Sequence, residues 1–408
     1  MTTRTIMIIG AAEENCLVIR TAHDMGLVVF VTDGNPNSPG FSMADDFAVA
    51  STYDPQRTLK AAKDYIAQGR RIDGVMTVAA DVPHTVAYVA EGLQVPGIGV
   101  ESASNASEKI RMKERFQQHM VPTPSFHEAT DERHLIKVAE EFGLPVVVKP
   151  VDSRGGRGVQ LIRDRAQLPT AYVTARGYSP TGRVMVEEYL IGPQLSTEGF
   201  MIDGQAHIPA IFDRNYEYLA RFAPFVVENG GEMPSIYSAE FRDEIHAVMQ
   251  HAALALGVKT SVIKGDLIIH NGLVKVIEVA TRLSGGFFGT VATPVSCGVA
   301  LDRINIKLSL GDRLDPKELE HKFERAAAIR FAFPEPGRVK RITGFNRVLQ
   351  DSACRYAHIF LKEGDVIPRI TNHPARPAVV VAEGDRLQEA IENAKRLINM
   401  LQWEIEGV

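Results

Sequence analysis

The sequence predicts a mixed protein that combines an α/β region with α+β regions. Strands and helices alternate over the first hundred residues, and a glycine-rich loop joins two apolar strands between Val146 and Ile162. Two further apolar strands, near position 270, carry the acids Asp266 and Glu278. Because alternating strands and helices form parallel sheets with covered faces, the first region is predicted to be doubly wound.

The composition is that of an ordinary globular protein. The 408 residues are enough for two to four domains, and 45% are hydrophobic and 23% charged. The net charge of −5 gives no reason to expect a nucleic acid or an anionic membrane as partner. Three scattered cysteines, no membrane-length apolar run and no signal-peptide pattern predict a cytoplasmic location.

Residues 1–105 are predicted to form the doubly wound domain. Strands are expected at Thr5–Gly10, Val28–Asp33 and Gly74–Asp81, with a helix at Asn15–Gly26. Asp33 ends the second strand, where dinucleotide-binding domains keep an acid for the ribose. The sequence after Gly10 nevertheless lacks the glycine fingerprint of those domains, which argues against an NAD-linked oxidoreductase.

Residues 106–190 are predicted to contain a helix followed by a small lid. The helix Ala106–Met120 places Lys109 and Lys113 on one face and stops at a proline-containing segment. A lid of roughly 70 residues then follows, by count of its elements. They are helix Asp131–Gly143, strand Pro145–Pro150, the glycine loop, strand Gly158–Asp164, a helix near Arg165–Gly177 and strand Val184–Leu190.

The remaining chain is divided into residues 191–310 and 311–408. The first part is predicted to hold strands Leu195–Ile202 and His207–Phe212, helix Ser238–Gly257 and the acidic hairpin. The second part ends in an amphipathic helix, for which Asp385 is the predicted N-cap.

The glycine loop has the chemistry of a phosphate site. Lys149 ends a buried strand, and the glycines Gly155, Gly156 and Gly158 let main-chain N–H groups approach an anion without obstruction by Cβ atoms. The alternative is a plain hairpin with a glycine turn. The pattern is neither a P-loop nor a Rossmann turn, because a strand rather than a helix follows the loop.

The stretch Val184–Gln194 has the composition of a linker that binds an adenosine. Its strand ends in Glu187 and Glu188, then Tyr189 and Leu190. Main-chain groups here could bind an adenine edge and a carboxylate could bind ribose hydroxyls. The alternative is a charged strand end, which is common.

The acidic hairpin predicts a magnesium site. Acids are rarely buried without partners, and oxygen ligands suit Mg²⁺ held together with phosphates. A three-residue loop at His270–Gly272 would put Asp266 and Glu278 on one face, whereas a two-residue turn would put them on opposite faces. Arg282 could stabilise a transferring phosphoryl group. The alternative is an exposed polar edge.

The order of these motifs resembles the ATP-grasp superfamily. Lys109, Lys149 with its glycine loop, the Glu187–Leu190 linker and the Asp266/Glu278/Arg282 hairpin follow one another as they do in that group. The N-terminal region resembles its pre-ATP-grasp domain. The tail from Gly344 onward is similar to the C-terminal region of L-amino-acid-ligase and biotin-carboxylase-like members, so the resemblance covers nearly the whole chain.

The resemblance implies a role for each matching residue. ATP and Mg²⁺, or Mn²⁺ in its place, would be bound, with Asp266 and Glu278 as metal ligands and Arg282 and Lys149 as catalytic residues. The implied ATP-binding residues are Lys109, Lys149, Ser153, Gly155, Gly156, Gly158, Glu187, Glu188, Leu190 and Glu198. The implied substrate residues are Glu228, Arg282, Ser284, Gly285 and Gly286, with the glycine-rich loop that follows Arg282 holding a carboxylate on its amides.

The implied reaction is ATP-dependent joining of a small-molecule carboxylate to an amine through an acyl phosphate. Many relatives carry Asn two residues after the second metal acid, and here that position is Ala280, which leaves open whether one or two Mg²⁺ ions bind. Glu228, Gly230 and Pro234 match the E-x-G-x-x-x-P stretch of amino-acid ligases. Bicarbonate activation and a non-catalytic ATP-binding protein are the alternatives, and a homodimer is the default assembly.

Overall fold

A computed structural model describes residues 3–407. The N-terminal region forms a parallel four-stranded sheet in the order β3-β2-β1-β4, which confirms the predicted α/β arrangement. Its elements are β1 (Thr5–Ile9), α1 (Glu13–Asp24), β2 (Val28–Asp33), a 3₁₀ helix (Pro39–Ser42), β3 (Asp46–Val49), α2 (Pro55–Ala67), β4 (Gly74–Met76) and α3 (Pro83–Leu93).

Two helices, not one, connect this region to the lid. They are α4 (Val100–Ser107) and α5 (Lys109–Gln118). Glu108 between them is extended, and its carboxylate accepts a hydrogen bond from Arg183 in the lid at 2.8 Å. The Lys109 N–H donates to Val151 O at 3.3 Å, so contacts with the lid break the helix that the sequence predicts from Ala106.

The lid is a four-stranded antiparallel sheet with two helices. Its strands have the order β5-β8-β6-β7. Asp131 caps the first helix, because its side chain accepts a hydrogen bond from His134 N at 2.8 Å. The elements are β5 (Phe126–Ala129), α6 (Glu132–Phe142), β6 (Val146–Pro150), β7 (Gln160–Ile162), a 3₁₀ helix (Arg165–Gln167), α7 (Leu168–Tyr178) and β8 (Val184–Glu188).

The central part of the chain contributes five strands to an eight-stranded sheet. Its elements are β9 (Gln194–Ile202), β10 (Gln205–Arg214), α8 (Leu219–Phe222), β11 (Gly231–Met233), α9 (Ser238–Ala255), β12 (Ser261–His270), β13 (Leu273–Ala280), a π-helical turn (Phe288–Ala292), α10 (Thr293–Cys297), α11 (Leu301–Ser309) and a 3₁₀ helix (Pro316–Leu319).

The C-terminal part completes that sheet, whose full order is β13-β12-β9-β10-β11-β14-β18-β16, and adds a three-stranded sheet, β17-β15-β19. Its elements are β14 (Ala326–Phe331), β15 (Gly337–Thr343), α12 (Phe345–Gln350), β16 (Cys354–Ile359), β17 (Val366–Ile367), a 3₁₀ helix (His373–Ala375), β18 (Ala378–Gly384), α13 (Leu387–Asn399) and β19 (Gln402–Glu406). Hydrogen-bonded strands thus lie on both sides of position 310/311, and the division of the chain into four domains stays a prediction.

The predicted N-cap of the last helix is wrong. Arg386 occupies the N-cap position of α13, and no side chain caps the helix there. Asp385 lies one residue earlier, where its backbone N–H donates to the carboxylate of Glu389 at 2.9 Å. The sequence signal is displaced by one residue because the preceding strand continues to Gly384.

One hydrophobic core joins the N-terminal sheet to the eight-stranded sheet. Ile8 and Val31 of the first sheet share it with Phe200 and Phe212 of the second, and Leu283 lies in the same core. Val78 also forms a parallel bridge with Leu283. The segment after β13, which carries Arg282, is therefore fixed from both sides. Across residues 3–407, no helix is long and apolar enough to cross a membrane.

Candidate active site

A cavity of about 590 Å³ lies where the glycine loop, the eight-stranded sheet and the N-terminal region meet. Gly158 and Glu198 are the two predicted site residues outside its lining. The predicted residues that line it are Lys109, Lys149, Ser153, Gly155, Gly156, Glu187, Glu188, Leu190, Glu228, Asp266, Glu278, Arg282, Ser284, Gly285 and Gly286. Segments more than 170 positions apart in the sequence thus meet at one place.

The acidic hairpin brings its two carboxylates together through a two-residue turn combined with a β-bulge. His270 pairs with Leu273, so Asn271 and Gly272 form a two-residue turn, both with positive φ (51° and 74°). Of the two alternatives that the sequence leaves open, the hairpin therefore has the two-residue turn. A bulge between Asp266 and Leu267 adds one residue on β13, and Asp266 then pairs directly with Glu278. The bulge restores the shared face that the turn alone would have removed.

Asp266 is held as an anion by two cations. Arg214 Nη1 lies 2.9 Å from its carboxylate, and the Lys264 ammonium also contacts it. Burial acts to raise the pKa of Asp266, but Arg214 and Lys264 outweigh burial and lower the pKa to about 2. The carboxylate is consequently ionised throughout the neutral pH range, as a metal ligand must be.

Glu278 lines the cavity beside Lys109, one of the two lysines that are candidates for binding phosphate. Its Oε1 atom lies 3.9 Å from Lys109 Nζ. That ammonium also donates to Ser153 O in the glycine loop at 2.8 Å. Lys109 therefore connects the metal-binding candidate to the loop, which is the proximity that a shared triphosphate and counter-ion would require.

The two acids fit a magnesium ion only in part. No group of three or more His, Cys, Asp or Glu side chains within residues 3–407 could hold a metal. The side chain two residues after Glu278 is the methyl group of Ala280, which offers no oxygen. Since Mg²⁺ often takes one or two carboxylates and completes its shell with water and phosphate oxygens, the paired acids suit a metal that enters with a nucleotide.

Lys149 belongs to a buried triad with Glu187 and Lys113. Lys149 Nζ and Lys113 Nζ each lie 2.5 Å from a different oxygen of the Glu187 carboxylate. Burial lowers the pKa of Lys113 to about 8, against the attraction of Glu187. Both oxygens of Glu187 thus form ion pairs with lysines and the carboxylate orients Lys149, while its predicted contact with adenine stays a prediction.

Glu188 and Leu190 follow Glu187 along the cavity wall. The Glu188 carboxylate accepts a hydrogen bond from Ser125 N at 3.3 Å, and Leu190 is buried. Both residues line the cavity, and the contact of the Leu190 main chain with a base stays a prediction.

The glycine loop has the backbone that its sequence requires. Gly155, Gly156 and Gly158 have φ values of 64°, 72° and 73°, in the left-handed region that favours glycine. The loop contacts two other parts of the molecule: Gly155 O accepts from His373 N at 3.0 Å, and Arg154 lies 3.9 Å from Asp81. It therefore covers the cavity by bridging the N-terminal and C-terminal regions.

Arg282 is anchored by an acid of the N-terminal region. Its Nε atom is 3.4 Å from Asp81 Oδ1, and Nη1 donates to Leu283 O at 3.2 Å. Burial opposes ionisation of Asp81, but Arg282, followed by Arg154 and Lys109, lowers the pKa of that carboxyl. The guanidinium is thus held at the cavity wall at a fixed position.

The loop that follows Arg282 has its amides occupied by protein carboxylates. Ser284 N donates to Glu198 at 3.2 Å, and Gly286 N and Phe287 N donate to Glu14 at 2.9 and 3.0 Å. The prediction that the amides of Ser284 and Gly286 hold a substrate carboxylate is not what this structure shows. Gly285 lines the cavity, and no residue between positions 3 and 407 accepts a bond of this kind from its N–H; Glu198 orders the loop through Ser284.

Glu228 holds two arginines that line the cavity. Arg214 Nε lies 2.5 Å and Arg376 Nη1 3.6 Å from its carboxylate. The Arg376 guanidinium also stacks on Phe331, 3.4 Å from the ring centroid. Glu228 therefore positions two cations that face the cavity, one of which, Arg214, also holds Asp266.

Several residues of the site belong to no motif of the sequence. Arg214 ends β10, and Lys264 precedes Asp266 by two residues on the same face of β12, a spacing that strand alternation could have revealed. Lys113 is four residues after Lys109, and its spacing alone predicts a shared helix face but not the ion pair with Glu187. No local pattern marks Glu14 or Asp81, because their partners Gly286 and Arg282 lie about 200 or more positions away.

The fold and cavity define a chain with a glycine loop over a cavity that is lined by lysines, an arginine and a pair of metal-ligand candidates. Comparison with known proteins agrees. Residues 107–317, more than half of the chain, match the family model of the carbamoyl-phosphate synthase L chain, ATP binding domain, and residues 330–406 match the L-amino acid ligase C-terminal domain 2. The chain therefore belongs to the ATP-grasp superfamily.

Individual relatives are more distant. An uncharacterized protein, y4rH, of Sinorhizobium fredii is 26% identical over 84% of this chain and 70% of its own length. The crystal structure of L-amino acid ligase from Bacillus licheniformis has a TM-score of 0.84 and 22% identity, with both chains covered completely. The biotin carboxylase domain of Hydrogenobacter thermophilus 2-oxoglutarate carboxylase, solved with MgADP and bicarbonate, has a TM-score of 0.75 and 18% identity over 100% and 92% of the chains. These structural similarities establish the fold.

Proposed function

We propose that this chain is an ATP- and Mg²⁺-dependent carboxylate–amine ligase that forms an amide or peptide bond, with an amino acid or a related small carboxylate as substrate. The observation that carries the proposal is the direct pairing of Asp266 with Glu278, in one cavity with Lys109, Lys149 and Arg282. Phosphoryl transfer depends mainly on positioning and charge neutralisation, and these residues supply both.

Each charged residue of the cavity has a role in this scheme. Lys109 and Lys149 bind phosphate oxygens, and main-chain amides of the loop from Ser153 to Gly158 approach the same group. Glu187 holds Lys149 in place through the ion pair at 2.5 Å. Asp266 and Glu278 would hold Mg²⁺, which neutralises charge on the phosphates.

The proposed reaction has two steps. A carboxylate oxygen of the substrate attacks the γ-phosphorus of ATP, the bond to the bridging oxygen breaks, and ADP leaves with that electron pair. Arg282, fixed by Asp81, stabilises the transferring phosphoryl group. An amine nitrogen then attacks the acyl carbon, inorganic phosphate leaves, and the nitrogen loses a proton to give the amide.

The wall formed by Glu228, Arg214 and Arg376 supports an organic acid as substrate. Guanidinium groups recognise carboxylates through paired hydrogen bonds, and Glu228 keeps two of them at the cavity. The E-x-G-x-x-x-P stretch and the match of residues 330–406 to an L-amino acid ligase domain point in the same direction.

Two other functions remain as alternatives. Activation of bicarbonate, as in a carboxylase or a carbamoyl-phosphate-type enzyme, is supported by the fold shared with a biotin carboxylase domain. A non-catalytic ATP-binding protein is supported by Ala280, which leaves the metal with two protein ligands. We also expect a cytoplasmic location and a homodimer, which are separate from the catalytic proposal.

One experiment distinguishes these functions. The purified chain is incubated with ATP, Mg²⁺ or Mn²⁺, and pools of amino acids, and release of ADP and phosphate is measured. ADP release that requires two organic substrates supports the ligase. Release with bicarbonate alone supports carboxylation, and tight ATP binding without turnover supports the binding protein. Formation of AMP in place of ADP would contradict the acyl-phosphate route.

A further inference from the structure

A second cavity, of about 560 Å³, lies behind the candidate active site. It is bounded by β4, α3, α11 and the ends of β9 and β12. None of the residues assigned to ATP, metal or substrate lines it. Apolar walls come from residues such as Val86, Ile98 and Leu308.

Asn305 and Ser261 are among the polar side chains that line this cavity. Asn305 is 5% exposed and Ser261 is 9% exposed. Within the part of the chain that the structure describes, neither side chain makes a hydrogen bond. Because both residues line the cavity, their polar atoms can bond to water or to a molecule bound there. Asn305 and Ser261 are consequently donors and acceptors available to a ligand.

The lining of the cavity includes one acid and one base that form no ion pair within residues 3–407. Asp203 and Arg313 are exposed lining residues, and neither forms an ion pair with any residue between positions 3 and 407. The third charged residue, Asp312, is bonded to Arg4 at 2.6 Å. The lining therefore combines one exposed positive group and one exposed negative group with apolar residues and with hydrogen-bonding side chains that include Asn305 and Ser261.

We propose that this cavity binds a zwitterionic amino-acid-like molecule, either a free apolar L-amino acid or a short peptide of such residues. Arg313 binds its carboxylate, Asp203 binds its ammonium group, and Asn305 and Ser261 bind the remaining polar atoms. The apolar walls accept the side chain. The inference does not depend on the proposed ligase activity.

The position of the cavity places a ligand next to the catalytic candidates. Ala280 and Arg282 line the first cavity, whereas Thr281 between them lines the second. The Thr281 hydroxyl is buried and has no hydrogen-bond partner in residues 3–407. A molecule in the second cavity would thus contact the reverse side of the segment that carries Arg282.

The test is a calorimetric titration in which each probe is added to the full chain in the absence of ATP. The probes are L-alanine, L-valine, L-leucine, L-methionine, L-phenylalanine and the dipeptide L-leucyl-L-leucine, which separate a free amino acid from a peptide. N-acetyl-L-leucine and L-leucinamide each lack one charge. Arg313→Gln and Asn305→Leu are compared with the wild type, and Arg303→Gln is the control, because Arg303 is an exposed cation on α11 outside the cavity.

We expect at least one probe to bind the wild type and Arg303→Gln equally, and to bind Arg313→Gln and Asn305→Leu about tenfold to hundredfold more weakly. The two singly charged leucine derivatives should bind more weakly than leucine. Ligand-free Asn305→Leu should melt no lower than the wild type, since it loses only an unpartnered amide. No binding of any probe, equal affinity in all four proteins, or a lower melting temperature of Asn305→Leu would overturn the proposal. Binding retained in both cavity variants would place the probe in the first cavity instead.

Discussion

Asp266 and Glu278 are direct cross-strand partners, although the two-residue turn between their strands would by itself place them on opposite faces. One bulge residue on β13 reverses that outcome. The metal-binding candidate therefore depends on a local irregularity of the sheet, which is a common device beside active sites.

Glu278→Gln should abolish turnover and weaken nucleotide binding much less. The amide keeps the size of the side chain but removes the charge that Mg²⁺ requires, while Lys109 and Lys149 still bind phosphates. ADP release and ATP affinity are measured on the same preparation. Glu363→Gln, at an exposed position outside the cavity, is the control. Full activity of Glu278→Gln would refute its role as a metal ligand.

Ala280→Asn should strengthen metal binding. Ala280 lines the cavity two residues after Glu278, so an amide there adds an oxygen beside the two acids. One added contact of hydrogen-bond strength corresponds to about a threefold to tenfold lower Mg²⁺ concentration for half-maximal ADP release. A titration of Mg²⁺ at saturating ATP measures it, and an unchanged or higher requirement would show that the metal lies elsewhere.

The turn itself can be tested through its glycine. Gly272 has φ +74°, and open space lies where a Cβ atom would project, so Gly272→Ala should cost about 1 kcal/mol of stability through backbone strain alone. Gly177→Ala, in the exposed last turn of α7, should change stability by about 0.5–1 kcal/mol in the opposite direction. Urea unfolding of both variants measures the contrast. Equal effects of the two substitutions would contradict the turn assignment.

The order of motifs could be read from the sequence because each motif is local. Lys149 with its glycines, and Asp266 with Glu278, are defined by strand alternation and glycine spacing over fewer than twenty residues. The contacts that decide what each side chain does are not local. The Glu14 carboxyl group accepts hydrogen bonds from the backbone N–H groups of Gly286 and Phe287, and no sequence pattern near position 14 predicts these contacts.

Lys149→Ala should weaken ATP binding about tenfold to hundredfold. The loss of a charged hydrogen bond to phosphate has this magnitude, and Lys149 is held at the cavity by Glu187. Lys137→Ala, an exposed lysine on α6 paired with Glu141, is the matched control and should leave affinity unchanged. Nucleotide affinity is measured by calorimetry, and melting temperatures check that both variants fold. Unchanged affinity of Lys149→Ala would count against the whole site.

Stability should fall as pH rises from about 5 to 8, because of two buried carboxyls. Burial raises the pKa of Glu14 to about 7 and that of Glu198 to about 8, against the hydrogen bonds that each accepts and, for Glu198, the attraction of Lys264. In both cases the folded-state pKa exceeds the unfolded value, so the folded chain binds more protons between the two values. The stabilisation that the two protonated carboxyl groups contribute is complete below the unfolded pKa and is lost as pH rises through the folded pKa.

Glu198→Gln isolates that contribution. A neutral amide can still accept a hydrogen bond from Ser284 N. The stability of the variant should therefore decrease less between pH 5 and 8 than that of the wild type. At pH 8 the variant should be the more stable protein by a few kcal/mol, which is on the order of the free energy that corresponds to the difference between the folded and unfolded pKa values. Glu363→Gln, an exposed substitution, should follow the wild type at every pH. Melting temperatures across the range provide the measurement. Parallel curves for the wild type and Glu198→Gln would mean that Glu198 is ionised in the folded protein, and that the loop after Arg282 is held by a charge that does not titrate in this range.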